Sequence, residues 1–153
     1  MSPLAIRSAR RDDLQSLIRL FAADSLGGHG DTSDPALLPA YEAAFDAIAA
    51  SAEETLYVAE RDGRLVGTFQ LGLRYSLPHR GALKAILEAV QVDPALRGGG
   101  IGEEMVRFAI AEARKAGAVS IALTTNVARE RAHRFYERLG FVPTHRGYKL
   151  FLE

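Results

Sequence analysis

The chain has 153 residues, enough for one domain with a sizeable core. Its 19 basic and 19 acidic residues cancel to zero net charge, so bulk attraction to nucleic acid or to an anionic membrane is not expected. There is no cysteine, which excludes disulfides, thiolate metal sites and cysteine nucleophiles.

Residues 4–9 are short, half apolar and read as a first strand. Arg10-Arg11-Asp12-Asp13 opens a helix with acidic residues in its first turn, which favours the helix dipole. Leu14, Leu17, Ile18 and Phe21 follow at helical spacing. Residues 25–31 are a loop by composition, and His29 and Asp31 within it are candidates for substrate contact beside the plainer reading of a solvated loop. A lone His at this place is not expected to hold a metal. Asp34-Pro35 fits an N-cap followed by proline at the first helical position. Leu37, Tyr41, Phe45 and Ile48 continue the helix to about residue 51, with Tyr41 either core or at the border of an acceptor pocket.

Residues 55–61 and 65–75 are β-type runs joined by Asp62-Gly63, a strong hairpin signal. After a turn around Pro78, residues 82–92 form a nearly continuous apolar strand, suited to a central position. Glu88 interrupts it. On an ideal strand Glu88 shares a face with Ile86, Val90 and Val92, and a bulge would redirect it. A carboxylate buried there would be costly and would have a raised pKa, a useful property in a general base; a salt-bridged or solvent-facing Glu is the alternative.

The stretch Arg97-Gly98-Gly99-Gly100-Ile101-Gly102 then leads from this strand into an amphipathic helix. A helix N-terminus leaves N–H groups unpaired and carries partial positive charge. Glycines allow an anion to approach those groups closely, and Arg97 adds charge. The pattern suits a phosphate-bearing ligand. It is neither a P-loop, since Lys-Ser/Thr is missing, nor the dinucleotide fingerprint, whose third glycine falls on Glu103. Glu103 and Glu104 favour the dipole but add negative charge near the anion. The helix ends at Lys115-Ala116-Gly117. Residues 119–125 read as a strand parallel to 82–92, completing a βαβ unit. A helix over 128–139 and a terminal strand over 148–152 close the chain.

The loop, written Arg-x-x-Gly-x-Gly after Val-x-Val-x-Pro, resembles the pyrophosphate loop of the GCN5-related N-acetyltransferase (GNAT) family. Ala132-His133-Arg134-Phe135-Tyr136-Glu137-Arg138-Leu139-Gly140-Phe141 resembles the family's second signature, in the right order and separation. The resemblance covers essentially residues 4–152 and implies a single GNAT-like α/β domain over 1–153, with its motif-bearing core at 82–142. The implied sheet is mixed, mostly antiparallel and of six to seven strands, flanked by about four helices, with central parallel strands splayed to admit CoA.

The resemblance further implies acetyl transfer from acetyl-CoA to a primary amine by direct attack, with no metal. Glu88 would be the base and Tyr136 the acid that protonates the departing thiolate. Val90, Gln91, Val92, Arg97, Gly98, Gly99, Gly100, Ile101 and Gly102 would hold CoA, together with Asn126 and Arg134. The backbone N–H near Val92 would polarise the thioester carbonyl. Asn126 equally suits a turn or N-cap. The absence of cysteine favours a ternary complex over an acyl-enzyme. Another acyl-CoA, or a non-catalytic CoA-binding sensor module, stand as alternatives. The acceptor is a small-molecule or peptide amine, and a homodimer is common in the family. No run approaches about 18 apolar residues and no secretory pattern opens the chain, so a cytoplasmic location is expected.

Overall fold

The structure, a computed structural model, describes residues 2–24 and 30–152. His29 lies outside the described residues. Two compact units divide the chain, residues 1–122 and 123–153.

The first unit holds a five-stranded sheet in the order β1-β2-β3-β4-β5. Its strands are β1 (Ala5–Ser8), β2 (Glu54–Arg61), β3 (Arg64–Tyr75), β4 (Leu83–Val92) and β5 (Ile121–Ala122). Neighbours from β1 to β4 run antiparallel, and β5 runs parallel to β4. The mixed, mostly antiparallel sheet and the βαβ unit are as the sequence predicts. Asp62 and Gly63 both have positive φ, 53° and 73°, so the expected hairpin closes through a primed turn.

Of two expected strands, one is shortened and the other has no ladder among the described residues. The run over 119–125 pairs only at Ala85–Ile121 and Ile86–Ala122, and the run over 148–152 has no partner strand, leaving five strands rather than six to seven. An alternating pattern favours an extended backbone but needs a neighbour to make a ladder.

One face of the sheet carries α1 (Leu14–Ala22) and α2 (Leu38–Ala50). Leu14 and Ile18 of α1 and Phe45 of α2 form a buried cluster that Leu56 of β2 and Tyr41 join. Asp34 caps the turn before α2 as predicted, its Oδ1 accepting from the Ala36 N–H at 3.0 Å. A short left-handed turn, α3 (Pro78–Gly81), links β3 to β4. The other face carries α4 (Ile101–Lys115), which buries Ile101, Met105, Val106, Ala109 and Ala113. Phe108 of α4 meets Tyr57 and Phe69 edge-on, at 5.4 and 6.2 Å between ring centres. Gly67 is needed here: a Cβ on it would come within 2.7 Å of the Met105 sulfur. α4 ends with Gly117 at φ 90° and the Ala118 N–H bonded to Ala113 O, a Schellman-type cap.

The second unit contains α5 (Glu130–Arg138). Its inward residues Ala132, Phe135 and Tyr136 are half-buried. Gly140 at φ 98° ends the helix, and the Phe141 N–H returns to Tyr136 O at 3.1 Å.

Candidate active site

β4 organises the candidate site. Gln70 of β3 stands opposite Glu88, and Thr68 stands opposite Gln91. Two steps along β3 therefore span three steps of β4, and the extra residue is Ala89, with φ at 51°. This is a β-bulge with its first residue left-handed, a position where glycine is the usual occupant. The bulge resets the side-chain alternation. Glu88 shares its face with Ile86 and Gln91, and Val92 moves to the α4 face, opposite Gly67. The ideal-strand expectation that grouped Glu88 with Val92 is corrected accordingly. Glu88 is also exposed rather than buried, so no desolvation of its carboxylate has to be offset.

Leu56 lies opposite Gln70 and packs with the α1–α2 cluster, so Gln70 and Glu88 belong to the α1–α2 face. On that face Arg74 and Lys84 also stand directly opposite each other, four residues along from Gln70 and Glu88.

Pairing with β5 stops at Ile86, and from Leu87 to Val92 no strand flanks β4 on that side among the described residues. The Asp93 N–H donates to Val66 O of β3 at 2.9 Å. Strand alternation then turns the N–H groups of Val92 and Val90 away from β3. A bulge bends its strand and increases local twist.

Beyond Val92, Asp93 caps a short 3₁₀ turn through its Oδ1, which accepts from the Ala95 N–H at 2.9 Å. Gly98 and Gly100 follow with φ of 85° and 84°, conformations that demand glycine, and nothing lies within 4 Å of where their Cβ atoms would stand. Gly100 is the N-cap of α4 and offers no side-chain oxygen to its first-turn N–H groups. Arg97 and Gly99 are exposed beside it. The loop is thus an open cradle of backbone donors at the positive end of a 15-residue helix, fit for a pyrophosphate. The carboxylate of Glu103, an objection to an anion here, lies 3.6 Å from Arg107 one turn along.

The acceptor-side candidates meet each other. The Tyr41 hydroxyl donates to Asp31 Oδ1 at 2.7 Å and accepts from the Thr32 N–H at 3.3 Å. Burial, then this bond, raises the Tyr41 pKa. The pair ties the segment before α2 to that helix, which fits the core reading of Tyr41.

Asn126, Arg134 and Tyr136 lie in the second unit. The Asn126 Oδ1 accepts from the Ala128 N–H at 2.9 Å, an Asx turn, while its backbone oxygen bonds to the Arg129 N–H and to His133 Nε2. Arg134 is exposed. The Tyr136 ring packs edge-on between Phe135 and Phe141, at 5.1 and 5.6 Å. Burial raises its pKa, partly offset by the Arg129 charge, so the phenol keeps its proton well beyond neutral pH.

Sequence reasoning missed Glu54 and Gln70. Gln70 Nε2 donates to Glu54 Oε2 at 2.9 Å, on the same face as Glu88. The hairpin signal would have paired these strands in simple register, but a slip between Ala59 and Glu60 moves Glu54 opposite Gly72. That slip leaves no signal in the residues. Among the described residues no group of three or more His, Asp or Glu is placed to hold a metal, and no helix is long and apolar enough to cross a membrane.

A family model described as the acetyltransferase (GNAT) family matches residues 14–141. The chain is 41% identical over 88 residues to an aminoalkylphosphonate N-acetyltransferase of Salmonella typhimurium, covering 58% of this chain and 56% of that one. It is 31% identical over 90 residues to a glucosamine 6-phosphate N-acetyltransferase of Trypanosoma brucei brucei, covering 59% of each. The matched region thus spans somewhat over half the length of these curated relatives. A crystal structure from Bacillus halodurans C-125, described as a transcriptional regulator, superposes with a TM-score of 0.94 at 35% identity, covering 98% of this chain and 100% of that one.

Proposed function

The chain belongs to the GNAT family of acetyltransferases, and on that premise we propose that residues 1–153 form one domain that transfers an acetyl group from acetyl-CoA to a primary amine, by direct attack in a ternary complex. The observation that carries this reading is the organisation of β4. One strand offers a carboxylate at Glu88, N–H groups turned away from β3 at Val90 and Val92, and an exit into the glycine cradle before α4.

Each residue has a chemical task. The N–H groups of the 98–102 loop and the Arg97 guanidinium hold the CoA pyrophosphate. Glu88 takes a proton from the acceptor ammonium, directly or through a water, and so frees the nitrogen lone pair. As the new C–N bond forms, the Val92 N–H receives the negative charge that develops on the carbonyl oxygen. Collapse breaks the C–S bond, Tyr136 gives its phenolic proton to the departing thiolate, and the second nitrogen proton passes through water to the phenolate, which leaves a neutral amide and restores the acid. Acetyl amide and CoA thiol are the products.

For the acceptor we propose a small amine bearing a phosphonate or phosphate. The two curated relatives described above are named for such compounds, aminoalkylphosphonate and glucosamine 6-phosphate. Arg74 and Lys84 support the choice. Like charges directly opposite on a sheet are unfavourable by themselves, and an anion between them turns repulsion into attraction. A second reading, a CoA-binding regulator without turnover, draws on the description of the Bacillus halodurans structure.

Thermal unfolding with excess acetyl-CoA tests the cofactor site. A ligand binding only the folded state stabilises it by about 2.7 kcal/mol at 100 times its Kd. The wild-type midpoint should rise, and the rise should vanish in Gly100→Glu and shrink in Arg97→Glu, which leaves the glycine conformations untouched. No rise in the wild type would overturn both readings.

A further inference from the structure

The polar row Glu54–Gln70–Glu88 crosses three strands of one face. Glu54 stands opposite Gly72, and its carboxylate occupies the space that a side chain on Gly72 would fill: a Cβ there would come 2.5 Å from Oε1 and 2.9 Å from Oε2. From that seat Glu54 accepts the Gln70 amide N–H at 2.9 Å. A carboxylate only accepts, so the amide nitrogen must be the atom turned toward it. The Gln70 carbonyl oxygen takes no part in that bond, and Glu88 of β4 stands directly across from Gln70.

We propose that Glu54 is a positioning residue for the acceptor amine: it holds the Gln70 amide by its nitrogen, so that the amide oxygen and the Glu88 carboxylate present two acceptors to one ammonium. The proposal rests on the reading of Glu88 as the base. An ammonium carries donors only, and a flipped Gln70 would oppose it with a second NH₂. Gln70 remains hydrogen-bonded to the amine before and after Glu88 takes its proton. The contribution therefore falls on amine binding rather than on the chemical step.

Gly72→Ala is the discriminating variant. The φ of Gly72 is not in the left-handed region, and the three atoms nearest the new methyl all belong to the Glu54 carboxylate, a mobile group. The substitution displaces Glu54 without deleting any polar group. Titration calorimetry with 2-aminoethylphosphonate should give a Kd raised about tenfold in Gly72→Ala and in Glu54→Ala, the size of one good hydrogen bond. The double variant should be no weaker than either single one. The amine KM should rise with Kd, while kcat and the acetyl-CoA midpoint shift stay unchanged. An unchanged Kd in both single variants, additive losses in the double variant, or no amine binding to the wild type would overturn the proposal. Glu88→Gln separates it from its premise: a loss of kcat there with unchanged Kd in the other variants removes Glu54 alone, whereas an intact kcat removes the base.

Discussion

Glu88 of β4 lies directly opposite Gln70 of β3, and only the left-handed Ala89 keeps both it and Gln91 on that face. A β-carbon at positive φ costs about 1–2 kcal/mol. Ala89→Gly should therefore raise the unfolding midpoint and keep activity, while Ala89→Val, branched at the same φ, should lose both. Equal stability of the two variants would mean that the bulge is not held at Ala89. Denaturant unfolding and steady-state rates read this.

As the proposed acid, Tyr136 should set the alkaline side of the pH profile. The acid form must be present to protonate a thiolate, and burial lifts its pKa above the ordinary tyrosine value. Activity should thus persist through neutral and mildly alkaline pH and fall only as the phenol ionises above that value. Tyr136→Phe should lower kcat on the order of 10²-fold and remove that limb. A limb unchanged in Tyr136→Phe would reassign the acid.

The proposed seating of the acceptor's anionic group by Arg74 and Lys84 predicts a dependence on substrate charge. Arg74→Ala or Lys84→Ala should raise KM about tenfold for 2-aminoethylphosphonate and leave ethylamine nearly unaffected. Equal losses on both amines would point to a structural effect instead.

The entry to α1 supplies a pH-dependent part of stability. Arg7 holds Asp13 through two bonds of 2.8 and 3.0 Å, and the Arg10 N–H adds a third at 2.6 Å. The Arg7 hydrogen bonds, aided by Arg10, keep the Asp13 pKa below its unfolded value despite partial burial. This stabilisation is complete above the unfolded pKa and is lost as pH falls through the folded one. Asp13→Asn should cost about 1–3 kcal/mol at neutral pH and flatten the acid limb of stability. Urea unfolding from neutral pH down to about pH 2 measures both effects.

Much of the fold is legible in the residues because local signals and tertiary structure agree. Asp62-Gly63 forms the primed turn, Asp34 caps its turn, and the Gly98–Gly100 pair adopts the conformations only glycine favours. The lost parts are non-local. The orientation of Glu88 depends on a bulge whose bulged residue, Ala89, carries no mark of one. The Glu54–Gln70 bond depends on a register slip, and a strand reading that begins at residue 55 omits Glu54 altogether. The 148–152 run has strand-like alternation, but alternation does not say whether a partner exists.

The most direct test of acetyl transfer is release of CoA thiol from acetyl-CoA with and without 2-aminoethylphosphonate, using wild type and Glu88→Gln. Amine-dependent thiol release that falls on the order of 10²-fold in Glu88→Gln is the predicted result. Acetyl-CoA binding without amine-dependent release, across phosphonate-bearing and neutral amines alike, would contradict it and leave a CoA-binding module in its place.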